Sequence, residues 1–174
     1  MKKISSLLSL ILVFQITLAQ ESSFQKDFSG TIQYNAEQVK SLAEAIPEGT
    51  FDWSPGDDVR SVKSVLLHIA SANYFFGSKL GAQMPEGIDP QALEQQVKGK
   101  SNIMEAVQKS VDFVSKAAEG VSEQNMNEMV ELFGGNKFSK RMIMMIALTH
   151  NSEHKGQLIA YARMNNITPP WSQQ

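Results

Sequence analysis

Apolar residues recur along this chain at steps of three and four, and four stretches carry the pattern strongly enough to predict helices. In the first, Phe28, Ile32, Asn35, Val39, Leu42 and Ile46 alternate spacings of four and three, so one polar residue, Asn35, interrupts a buried seam. Pro47-Glu48-Gly49 ends that helix, since proline cannot continue it and glycine relaxes the backbone. A loop from Thr50 to Arg60 follows, with a turn signal at Pro55-Gly56. Its Trp53 reads either as packing across an end of the core or as a binding residue. Ser61 suits the N-cap of a second helix reaching about Leu80, whose apolar face holds Val62, Val65, Leu66, Ile69, Ala72, Phe75 and Phe76.

Gly81, Pro85, Gly87 and Pro90 mark a long connection, with a short helical turn between Gln91 and Val97. Asn102 and Glu105 have the spacing of a capping box for a third helix carrying Ile103, Val107, Val111, Val114 and Ala118, which Gly120 closes. A second long connection runs from Val121 to Lys137. It turns at Gly134-Gly135-Asn136 and holds either a short strand or a helical turn around Asn127 to Phe133. The fourth helix lies between about Phe138 and Asn166. Ile143, Ile146, His150, His154, Gln157 and Tyr161 form its stripe, with Met142, Met145, Thr149, Ser152 and Gly156 beside it. The methionines read as core filler, and Gly156 lets a neighbouring helix approach, at about 1 kcal/mol in helix propensity. Asn165-Asn166 and Pro169-Pro170 stop the helix. Four amphipathic helices without a strand series predict an all-α four-helix bundle, with long connections between helices 2 and 3 and between helices 3 and 4.

The first 20 residues read differently. Lys2-Lys3, an apolar run from Ile4 to Ile16 and a small residue at Ala19 form a secretory signal pattern. That assigns residues 1–20 to a signal peptide and 21–174 to one domain, periplasmic or secreted, with no stable membrane insertion after cleavage. Cleavage removes two lysines and no acid, taking the formal net charge from −2 to −4. The acidic balance and the lack of basic clusters argue against nucleic acid as a partner. The chain has no cysteine, which excludes disulfides, thiolate ligands, a cysteine nucleophile and a lipid-modified cysteine after the apolar run.

Candidate chemistry lies in the three histidines. His150 and His154 are four residues apart, so both rings lie on one helix face, one turn apart. His68 falls within the apolar face of the second helix. An i,i+4 pair, or a lone histidine on an apolar face, is commonly structural. Here all three fall on predicted inward faces, which favours a shared metal. Three imidazoles would leave a coordination position for water or substrate and lower the pKa of a bound water toward about 7. His150-x-x-Glu153-His154 also fits the H-x-x-E-H pattern of inverted zincins, but no Asp or Glu follows Glu153 to supply the further ligand.

The loop-helix stretch Phe51-Asp52-Trp53-Ser54-Pro55 through Ser64-Val65-Leu66-Leu67-His68-Ile69-Ala70 resembles the DinB/YfiT-like family. So does His150-x3-His154-Lys155-Gly156-Gln157-Leu158 with Tyr161 through Pro170. The resemblance covers essentially the whole mature chain. It implies an up-up-down-down bundle, often a homodimer, with nickel, zinc or iron held by His68, His150 and His154. It also implies, for some members, thiol-dependent transfer or isomerisation. The function expected on this basis is an exported metal-dependent hydrolase or thiol-dependent transferase acting on a small molecule. The alternative is a non-catalytic metal-binding or dimerisation module. Glu153 is a candidate catalytic base, set about 60° around the helix from His150 and 100° from His154. Gln157 and Tyr161, on the histidine stripe, are candidates for orienting an imidazole.

Overall fold

The seam predicted for the first helix is buried from Phe28 to Ile46, Asn35 included. It belongs to α1 (Ser23–Ala45) in a computed structural model that describes residues 23–172. The predicted signal segment lies outside the described residues. The other elements are α2 (Val62–Leu80), the short α3 (Leu93–Gln96), α4 (Lys100–Glu119), a hairpin of β1 (Met129–Glu131) and β2 (Lys137–Ser139), and α5 (Lys140–Met164). None of the described helices is long and apolar enough to cross a membrane.

Local chemistry sets the helix ends. Ser61 caps α2 by accepting a hydrogen bond from the Ser64 N–H, and Ser139 caps α5 by accepting one from the Met142 N–H. Asn166, at φ 60°, takes the left-handed conformation that ends α5. The capping box expected at Asn102 and Glu105 does not form. α4 begins at Lys100, after Gly99. The Lys100 ammonium instead donates to the Glu44 and Ile46 carbonyls at 2.8 and 2.6 Å, satisfying oxygens that the end of α1 leaves free. The undecided stretch near Asn127 resolves as a strand: Val130 pairs with Phe138 in an antiparallel register.

The long helices α1, α2, α4 and α5 form the four-helix bundle, but their directions differ from the expected up-up-down-down order. Gln25 meets Val121, and Lys100 meets Ile46, so α1 and α4 are antiparallel. Phe24 meets Arg141, and Gln38 meets Lys155, so α1 and α5 are parallel. Asn73 meets Ser110, and Gly77 meets Val114, so α2 and α4 are parallel. The order is therefore up-down-down-up, with α1 diagonal to α2 and α4 diagonal to α5. The physical reason lies in the connections. Residues 46–61 fold back at one end, where the Val62 and Lys63 N–H groups bond to the Trp53 and Phe51 carbonyls. Residues 120–139 stay at the other end as a 3-10 turn and the hairpin. Only residues 81–99, with α3, traverse the bundle, so α2 and α4 run the same way.

At Gly77, α2 and α4 approach closely. A methyl there would lie 2.5 Å from the Phe113 ring and 3.3 Å from the Val114 backbone. The apolar interior splits into two clusters, one around Leu42, Leu66 and Leu158, the other around Ile32, Phe76 and Ile143. Polar residues lie among them: Asn73, Ser110 and Asn151 are buried and bonded to one another. Asn151 also donates to the Ala147 carbonyl, and Ser110 to the Val107 carbonyl. Ser110→Ala strands a donor of Asn73, and the urea midpoint is expected to fall by an amount equivalent to about 1 kcal/mol. An unchanged midpoint would show that Asn73 finds another acceptor.

Met142 and Met145 do not fill the core. They are 44% and 48% exposed on the outer face of α5, while Met144 and Met126 are buried. Gly156 faces open space rather than a close neighbour.

Candidate metal centre

His68 sits between Leu67 and Ile69, both buried, midway along α2. His150 and His154 stand one turn apart on the neighbouring α5. The two helices bring the rings together: His150 Nε2 is 3.1 Å from His68 Nε2 and 3.2 Å from His154 Nε2. Ligand nitrogens of all three lie within 4.8 Å of one another. Two nitrogens each about 2.0–2.1 Å from one ion, and about 90–110° apart around it, are separated by about 2.9–3.4 Å. Two of the three separations fall in that range, as binding of a single first-row divalent ion requires. Among the described residues no Asp, Glu or further His completes the group, and all three rings are partly exposed.

The protons are placed consistently with this. His154 Nδ1 lies 2.8 Å from Gln157 Oε1, and Gln157 Nε2 donates to Tyr161 Oη at 2.7 Å. An amide oxygen only accepts, so His154 Nδ1 carries the proton, and the Nε2 of the neutral ring offers its lone pair to the cluster. Burial pushes the His150 pKa down from 6.5 to about 4, with positive charge on His154, His68 and Arg60 adding to the effect. The His68 pKa is also lowered, first by burial, then by Arg60 and His154, against the opposing charges of Glu94 and Glu153. Both rings are thus neutral near pH 7, as ligands must be. His150 Nδ1 is buried without a hydrogen-bond partner. Neutral imidazoles converging on one point repel through their lone pairs, and a cation there would relieve the repulsion.

The residues singled out in the sequence separate into those that touch the cluster and those that flank it. Gln157 bonds to His154 directly, and Tyr161 acts through Gln157. Trp53 packs on the core with its ring edge-on to Tyr161, 5.5 Å between centroids, which joins the loop to this chain of contacts. Glu153 is exposed and its side chain makes no hydrogen bond among the described residues; its charge reaches His68 only through space. Several neighbours were not singled out. Arg60 and Glu94, 3.9 Å apart, place opposite charges beside His68. The Phe76 ring stands edge-on to His150 at 5.8 Å. Asn151, next to His150, ties α5 to α2 through Asn73. A polar residue beside a ligand histidine on an inward face was the available signal for Asn151. Phe76 had none beyond its apolar spacing. Wider surface cavities lie elsewhere; one of about 440 Å³ is lined by Glu48 and residues 99–102 with Met104, and it has no histidine.

Fold and site define a helical bundle with a three-histidine cluster, able to hold a metal ion, between two of its helices. Residues 22–173 match the model of the DinB family, and the chain belongs to that family. It is 22% identical to the uncharacterized protein YjoA of Bacillus subtilis over 139 residues, which covers 78% of this chain and 88% of that protein. The crystal structure of that DinB-like protein superposes with a TM-score of 0.66 at 20% identity, covering 85% of this chain and 98% of the other. A DinB-like protein from Bacillus cereus gives 0.67 at 15% identity, with the same coverage of 85% and 98%. A mycothiol-dependent maleylpyruvate isomerase gives 0.62 at 11% identity, over 79% of this chain and 63% of that one.

Proposed function

We propose that this protein is an exported metal-dependent enzyme acting on a small molecule, with His68, His150 and His154 holding a nickel, zinc or iron ion. The observation that carries the reading is the convergence of three imidazole nitrogens, 3.1 and 3.2 Å between neighbours, with no fourth protein ligand among the described residues. A bound ion would supply Lewis acidity on its open side. The chain's own part is to keep His68 and His150 neutral by burial and to fix the His154 tautomer through Gln157. Glu153, which is exposed, would take up a proton through solvent rather than by direct contact. Hydrolysis needs only water as second substrate and is the preferred reaction. Thiol-dependent transfer draws support from the name of one structural neighbour.

The test is metal analysis of the mature protein, purified without a chelating tag, beside His68→Ala and His154→Ala. Stoichiometric metal in the wild type and none in the variants is expected; equal content in all three would remove the site. Ester and thiol-conjugation substrates then separate the two reactions. Mass measurement of the secreted product tests export, with cleavage expected near Ala19.

Gln157→Leu removes the acceptor of His154 Nδ1 without removing a ligand. Metal affinity is expected to fall about tenfold, read by competition with a chromogenic chelator. Unchanged affinity would mean that the tautomer is fixed by another group.

A second reading, a non-catalytic module that self-associates, is favoured by one observation. Met142, Met145, Thr149, Ser152 and Gly156 leave much of the exposed face of α5 uncharged. Light scattering would report a dimer that Met145→Lys dissociates. A wild-type monomer at all concentrations counts against this reading.

A further inference from the structure

The α2 stripe that carries His68 continues to Phe75, seven residues on and about 10 Å further along the axis. The Phe75 ring lies nearly flat against Phe133, with centroids 5.6 Å apart and planes 22° apart. Beneath them, Phe76 stands edge-on to Phe133 at 6.4 Å and to His150 at 5.8 Å. A run of rings thus leads from the histidine cluster to the surface. Lys79 sets its ammonium over Phe75, 5.5 Å from the centroid.

Phe133 is 51% exposed, although it belongs to a hydrogen-bonded turn. Its carbonyl accepts from both the backbone N–H and the side-chain Nδ2 of Asn136, at 2.9 and 3.0 Å. Gly134 and Gly135 take φ of 57° and 81°, as a tight hairpin turn of the primed kind requires. The turn itself needs no aromatic residue at 133, and a half-exposed ring gives up part of the stabilisation that full burial would bring. The hairpin therefore holds a flat apolar face at the surface, joined through Phe76 to His150 of the cluster.

We propose that Phe75 and Phe133 form the subsite for a flat apolar group, an aromatic ring, on the small molecule whose head binds the metal at His68, His150 and His154. The inference rests on the metal-site reading and names the class of ligand that the site takes. The head is a metal-binding anion, and the rise of about 10 Å from His68 to Phe75 is covered by the head group, about four methylene groups and the ring together. The ring stacks on or extends the Phe75–Phe133 pair, and the Lys79 cation adds to the attraction of the aromatic faces.

The test is calorimetric titration of the zinc-loaded protein with acetohydroxamate and with phenylalkyl hydroxamates of one to six methylenes. Affinity is expected to peak near four methylenes, about tenfold above acetohydroxamate and above an alkyl hydroxamate of equal length. Phe133→Ala and Phe75→Leu should erase the gain while leaving acetohydroxamate binding unchanged, and Phe133→Tyr should retain it. Zinc uptake and acetohydroxamate binding without a phenyl gain, or a gain that survives in Phe133→Ala, overturns the subsite alone. Failure to take up zinc removes the metal reading and the subsite with it.

Discussion

His150→Ala is expected to lower metal affinity more than a hundredfold, beyond the roughly 10–100-fold lost when an outer-shell partner is removed. The reason is position. His150 Nε2 is the central atom of the cluster, close to both other histidines, at 3.1 and 3.2 Å. Removing it takes out the nitrogen that lies close to both others and leaves only two imidazoles, His68 and His154, with ring centroids 4.8 Å apart. His68→Ala leaves the i,i+4 pair intact and should retain more affinity than His150→Ala. Competition titrations with a chelator would rank the variants. Equal loss in the two would mean that His150 has no central role, and no loss in either would place the metal elsewhere.

The metal-free protein is expected to lose stability as pH falls from about 6.5 to about 4, because His150 resists protonation only in the folded state. In the unfolded chain this histidine takes a proton near its ordinary value of about 6.5; in the fold, burial holds the value at about 4. Between those limits the unfolded state binds more protons, so stability rises with pH across the window. The contribution is fully present above the upper limit and lost below the lower one. The lowered pKa of His68 acts with the same sign. Allowing for the part of the ring that solvent reaches, the His150 effect is on the order of 2 kcal/mol. Carboxylates titrate in the same range, so the measurement is the difference in urea midpoint between wild type and His150→Gln at several pH values. A difference that does not change between pH 6.5 and 4 would show that the ring is not shielded.

Much of this was legible in the chain itself. The buried seam of α1 runs through the same six residues that the spacing of three and four picks out, because one helix face meets one core. The histidines could be brought together because all three fall on inward faces. Direction was not legible from periodicity, since an amphipathic helix packs in either sense. It depended on which connection crosses the bundle, and length did not say, because 81–99 and 120–139 are similarly long stretches. Met142 and Met145 misled because α5 carries apolar residues on both its inner stripe and its outer face. The start of α4 misled because a long-range contact, Lys100 to the end of α1, replaces the local capping that Asn102 suggested. Phe133 could not be connected to the site from sequence, because its neighbours Phe75 and Phe76 lie more than fifty residues earlier.

The diagonal arrangement of α4 and α5 has a consequence for the order of events in synthesis. His68 and His150 are 82 residues apart, and both His150 and His154 lie on the last long helix made. While α1, α2 and α4 are already available to pack on one another, α2 offers a single imidazole, too few to retain an ion. The binding site comes into existence only when α5 docks on α2, so an ion held there reports that contact. A chain crossing a membrane unfolded would acquire its ion on the far side, from the metals available there.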